Sequence, residues 1–139
     1  MSVWVRIALL MTLAAVLTGC SGSPAATAAP TATLRAITGV ITVNGSTLGT
    51  VCSPKPGYDD IHEGTQVTLK DGAGTIIGTS ALGPVAIGGR QACDYAFTIA
   101  GVPEVPFYAI EVGHRGEVTA SLAEMQASGW RFELELGLQ

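Results

Sequence analysis

The densest run of reactive side chains is Tyr58-Asp59-Asp60-Ile61-His62-Glu63, with carboxylates, an imidazole and a phenol in close succession. Carboxylates beside an imidazole can ligate a divalent cation or share general acid–base work. The spacing argues against both. No His-Glu-x-x-His pattern follows, and Asp59 and Asp60 are adjacent, so in extended backbone their side chains point apart. A charged run of this kind is more often a solvated loop than a ligand site. A second candidate is His114-Arg115, held between Gly113 and Gly116, where a tight turn would offer a cation and an imidazole to an anionic ligand; such positions are more often simply exposed. Serine chemistry has weaker support, because Ser80 stands in Gly-Thr-Ser-Ala-Leu and lacks the second Gly of a nucleophile elbow. The expectation is therefore no catalytic residue, metal or cofactor. Tyr58, Asp59, Asp60, His62, Glu63, His114 and Arg115 form a candidate binding surface.

Three cysteines are present. Cys20 follows Leu17-Thr18-Gly19, and ahead of it Arg6 leads into the apolar run Ile7 to Val16, too short to span a bilayer and about right for a signal peptide core. Leu17-Thr18-Gly19-Cys20 resembles the lipobox of bacterial lipoproteins. That resemblance implies a diacylglyceryl group on the Cys20 sulfur and cleavage after Gly19; without it, Cys20 would be the last residue of an ordinary secretory peptide. Cys52 and Cys93 then remain as a pair in a compartment where thiols oxidise, so a disulfide is the first expectation. Two buried thiols or half of a metal site are the alternatives. The metal alternative lacks a second Cys or His two to four residues from either one.

The chain has 139 residues and a formal net charge of −4, so removing residues 1–19 leaves one domain and a tether. Lys and Arg are scattered rather than gathered in a stripe, which argues against a nucleic-acid partner. The 47% hydrophobic content is raised by the leader and does not indicate a membrane-embedded fold. Residues 20–34 comprise Cys20 and a spacer of Ser, Gly, Pro, Ala and Thr, reaching at most roughly 45 Å from the membrane. The folded domain is expected over residues 35–139. The sequence carries no signal for an oligomeric state.

Within that domain the alternation of apolar and polar residues predicts seven strands. Ala36 to Val43 is the first, ended by the turn signal Asn44-Gly45. Leu48 to Glu63 reads as a long loop pinned by Cys52. Gln66 to Lys70 and Thr75 to Thr79 form a hairpin around Asp71-Gly72-Ala73-Gly74. Ala81 to Gln91 reads as irregular. Cys93, Tyr95, Phe97 and Ile99 share one face of the next strand, Gly101 to Pro106 is a loop, and Phe107 to Val112 turns through Gly113-His114-Arg115-Gly116 into Glu117 to Thr119. Ser121-Leu122-Ala123-Glu124 has capping-box form, with Gly129 placed to end the short helix. Trp130, Phe132, Leu134 and Leu136 alternate with Arg131, Glu133 and Glu135 in the last strand. Tyr108 and Trp130 are expected in the core.

Strands at this spacing, with one short helix, predict an all-β sandwich. Gly39-Val40-Ile41-Thr42-Val43, Gly64 to Asp71 with Gly74, Tyr95 to Ile99 and Phe107 to Val112 resemble the strand order of transthyretin-like and carboxypeptidase-regulatory-like domains. The resemblance implies a seven-strand prealbumin-like sandwich of the kind that serves as an accessory or binding module. The expected protein is a lipid-anchored, extracytoplasmic, non-catalytic module that binds an envelope protein or the cell wall. The alternative is a metal-dependent or hydrolytic enzyme using Asp59, His62 and Glu63, and perhaps His114, which requires the two loops to converge.

Overall fold

The computed structural model describes residues 32–89 and 91–137. The expected signal peptide, Cys20 and nearly all of the expected tether lie outside the described residues. The elements run β1 (Leu34–Leu48), β2 (Val51–Pro54), β3 (Gln66–Asp71), β4 (Ile76–Ala81), β5 (Val85–Gly88), β6 (Ala92–Pro103), β7 (Phe107–Val112), β8 (Glu117–Ser121), α1 (Leu122–Ala127) and β9 (Arg131–Leu136). They form two layers around one core, so the described residues are all-β with a single short helix. One sheet has the order β2-β1-β6-β5, with β9 also paired to β1; the other is β4-β3-β7-β8. Every pairing is antiparallel except β1 with β9.

β1 is the hub, and its alternation explains why. Ile37, Ile41 and Val43 face inward and are almost fully buried. Gly39 sits at the inward position between Ile37 and Ile41 because its partner across the ladder is Phe97, whose ring occupies the space a Cβ would take. β6 answers with Cys93, Tyr95, Phe97 and Ile99, all buried, while Thr98 is exposed. From the opposite sheet come Val67, Leu69, Tyr108, Ile110 and Val112. Tyr108 is wholly buried with its hydroxyl satisfied, accepting from the Val105 N–H at 3.0 Å and donating to the Pro103 carbonyl at 3.3 Å.

The strand count differs from the expected seven: nine strands lie among the described residues. The two extra ones, β2 and β5, are each only four residues long with a single buried residue, too short to show an alternating apolar pattern. β1 also runs through Asn44-Gly45 instead of turning there. The Gly45 N–H donates to the Gln91 carbonyl at 2.9 Å, and a Cβ on Gly45 would lie 2.5 Å from Cys93 Sγ. Gly45 is thus a packing glycine, and the chain reverses at Gly49-Thr50, with Gly49 at φ 62°. β6 likewise extends to Pro103, into the stretch read as a loop.

The Cys52–Cys93 disulfide is present, with the two Cα atoms 5.6 Å apart. It staples β2 to the start of β6. The capping box also forms: the Glu124 N–H donates to Ser121 Oγ at 3.3 Å, and Glu124 Oε2 accepts from the Ser121 N–H at 2.7 Å. The Ser121 N–H and the Ser121 hydroxyl, both donating to Glu124 Oε2, hold the Glu124 carboxyl below its usual range. Met125 is the one buried residue of α1. Gly129 and Trp130 both adopt left-handed backbone, at φ 66° and 64°, so β9 starts one residue later than the alternation suggests. Trp130 packs edge-on against Tyr108 with centroids 6.1 Å apart, and the Arg35 guanidinium lies over its ring. It packs against the core, partly buried.

Candidate functional site

The loop between β2 and β3 is ordered by one apolar plug and a set of tight turns. Ile61 is fully buried, and the Ile61 N–H donates to the Tyr58 carbonyl at 3.0 Å. Thr65, buried although polar, ties the loop from inside: its hydroxyl donates to the Asp60 carbonyl at 2.8 Å and accepts from the His62 N–H at 3.1 Å. Asp59 turns back on its own chain, where Oδ2 accepts from the Gly57 N–H at 3.1 Å. Asp60, the second residue of that turn, has a different partner.

Asp60 meets Arg115. The β7–β8 turn is set by Gly113 and Gly116, at φ 58° and 85°, and by the Gly113 N–H donating to the Gln66 carbonyl at 2.9 Å. From it Arg115 donates through Nε to Asp60 Oδ2 at 2.8 Å and through the same guanidinium to Oδ1 and the Gly57 carbonyl. The guanidinium also lies over the Tyr58 ring, 5.2 Å from its centroid. These hydrogen bonds hold the Asp60 carboxyl below the usual carboxylate range and push Arg115 further up. The two sequence candidates are therefore one site, and its strongest interaction is internal.

Beside this latch lies an open groove of 390 Å³ lined by Asp60, His62, Thr65, Gln66, Thr68, Glu111, Gly113 and His114. Its charges are compensated. Asp60 is taken by Arg115, and Glu111 Oε2 accepts from Lys70 Nζ at 3.2 Å, the same ammonium reaching Glu117 at 2.5 Å. Those two carboxylates raise the Lys70 pKa, Glu117 more than Glu111. His62 Nδ1 lies 2.8 Å from the Glu63 carbonyl, an acceptor, so Nδ1 carries the proton and neutral His62 presents Nε2 as an acceptor. The groove is a surface of hydrogen-bonding groups with two imidazoles at its rim.

Of the seven candidates, the groove gathers Asp60, His62 and His114. Arg115 holds the groove's Asp60 and lies over the Tyr58 ring without lining the groove itself, which corrects the expectation that Arg115 offers a free cation. Asp59 and Glu63 do not line it, so the two loops meet there without the groove gathering Asp59, His62 and Glu63 together. Among the described residues, no three His, Cys, Asp or Glu side chains stand close enough to hold a metal ion. Thr65, Gln66, Thr68 and Glu111 were not legible as site residues. Thr68 and Glu111 are directly paired across β3 and β7 on the face away from the core, a position the strand alternation contains but does not mark as functional.

No family model matches the chain, and no curated protein or solved structure is similar to it at a significant level.

Proposed function

We propose that the protein is a lipid-anchored extracytoplasmic module that binds an envelope protein or cell-wall component, without catalysis, through the groove beside the Arg115–Asp60 latch. The observation that carries this reading is the convergence of the β2–β3 loop and the β7–β8 turn on one polar, charge-compensated surface. Such a surface favours a ligand rich in amide or hydroxyl groups over a strongly charged one, because a bound ion would have to displace an existing partner. The Leu17-Thr18-Gly19-Cys20 motif supports the anchor, and a disulfide suits an oxidising compartment. Two packed sheets with loops gathered over one surface also agree with a prealbumin-like accessory module.

The test is a pull-down from native membranes with the anchored protein and with a His62→Ala/Gln66→Ala/His114→Ala variant. These side chains are exposed, so the fold should persist. Loss of a captured partner or of peptidoglycan retention is the expected result. Full retention of every partner would remove the groove from consideration.

A further inference from the structure

A second opening lies on the other side of the latch, where the two sheets come apart at their edges. Among the described residues, β8 is the last strand of its sheet and β9 pairs only with β1, so each leaves an edge unpaired there. Between them is a slit of 160 Å³ whose apolar walls are Ile41, Ile110, Val112, Val118, Leu134 and Leu136. Val118 pairs with the buried Ile110 and faces inward, yet it is 50% exposed. The margin of the core is therefore open at Val118, with Leu134 and Leu136 half-buried beside it and Ile41, Ile110 and Val112 buried beneath. β9 has an alternation that specifies what would cover it: Phe132, Leu134 and Leu136 point inward, while Glu133 and Glu135 point outward and also edge the slit.

We infer that the free edge of β9 accepts an extended peptide of alternating basic and apolar residues, added as a further strand. The register dictates this chemistry. A strand laid beside β9 shares its pleat, so its inward side chains enter the slit against Leu134, Leu136 and Val118, and its outward ones stand beside Glu133 and Glu135. Aliphatic residues fit the first positions, and Lys or Arg the second. The neighbouring cations are occupied: Arg115 by Asp60, Lys70 by Glu111 and Glu117, and Arg131 by Glu133 at 3.3 Å. Glu133 is shared with Arg131, and among the described residues Glu135 has no ion-pair partner. Pairing with a second copy is less well matched, because antiparallel β9–β9 pairing about Glu133 sets two Glu133 carboxylates opposite each other.

The probe is a fluorescent Lys-Val-Lys-Val-Lys-Val-Lys peptide titrated against the full chain in detergent micelles, read by anisotropy. Controls are the same peptide with N-methylated backbone, which keeps charge and side chains but removes ladder donors, and a Glu-Val peptide of equal length. Both controls should bind at least about tenfold more weakly. A Glu133→Lys/Glu135→Lys variant, altered only at exposed outward positions, should lose a similar factor. Equal binding of the N-methylated peptide would reduce the contact to charge attraction and overturn strand addition. Binding unchanged in the charge-reversed variant, or none at all, overturns the site. Sedimentation showing a dimer that this variant abolishes makes a second copy the occupant and overturns the peptide.

Discussion

Arg115 grips Asp60 across fifty-five residues of chain with both ends of its guanidinium fork, and the pair separates two openings, Asp60 lining the polar groove and Arg115 the apolar slit. The same side chain holds the Gly57 carbonyl and covers the Tyr58 ring. A planar, bidentate cation is required for this set of contacts, and an ammonium cannot reproduce it.

Arg115→Lys should therefore destabilise the fold by about 1 kcal/mol near neutral pH, a modest figure because both partners are partly solvated. The sign of the pH dependence follows from Asp60. Its folded pKa lies below the ordinary value of 3.8, so its contribution is complete above that value and is lost as pH falls through the depressed one. Urea denaturation of both proteins should show the gap closing as the pH falls below 3.8 and through the depressed Asp60 pKa. A gap constant into acid would mean that Asp60 is not the partner that matters.

Replacing both cysteines, as Cys52→Ala/Cys93→Ala, should cost roughly 4 kcal/mol through the loop entropy returned to the unfolded chain. The sequence separation is 41 residues, and both sulfurs are buried. Thermal unfolding with and without reductant checks the loss, and alkylation of the native protein should label neither cysteine until reductant is added. Free labelling of the oxidised protein would contradict the bridge.

Gly39→Ala should destabilise by about 1–3 kcal/mol, since the added methyl meets the Phe97 ring in a packed core. The companion Phe97→Leu should recover part of that loss in the double variant while being destabilising alone. Strict additivity in the double-mutant cycle would show that the two residues do not share the space.

Cys20→Ala should abolish incorporation of labelled palmitate and release the protein from the membrane fraction. Two acyl chains on one cysteine are sufficient for stable anchoring, and a single chain is not. Persistent label on the variant would place the lipid elsewhere.

At high salt the groove and the slit should respond differently. Binding of the Lys-Val peptide should weaken steeply with salt, because its contacts with Glu133 and Glu135 are exposed and screened. Partner binding in the groove should be less affected, its carboxylates already being paired internally. A titration of both with sodium chloride distinguishes them; equal slopes would argue against a charge-compensated groove.

The sequence by itself determined what local chemistry determines. Alternation in Phe107–Val112 and in Cys93 to Ile99 fixes which side chains face inward, and Ser121 with Glu124 fixes the start of α1. Redox context paired Cys52 with Cys93, the two cysteines left beside Cys20. What depends on the opposite sheet was not local. Gly45 reads as a turn residue in its own neighbourhood, yet it serves as the space beside a disulfide whose second sulfur arrives from β6. β2 and β5 are strands because neighbours present free ladder groups to them, and nothing in their short, exposed sequences says so. Arg115 looked like an available cation because its partner is distant in sequence; only the crossing of the β2–β3 loop over the β7–β8 turn brings Asp60 to it. The slit beneath Val118 arises the same way, from two edges that do not meet, a gap between elements that no single strand encodes.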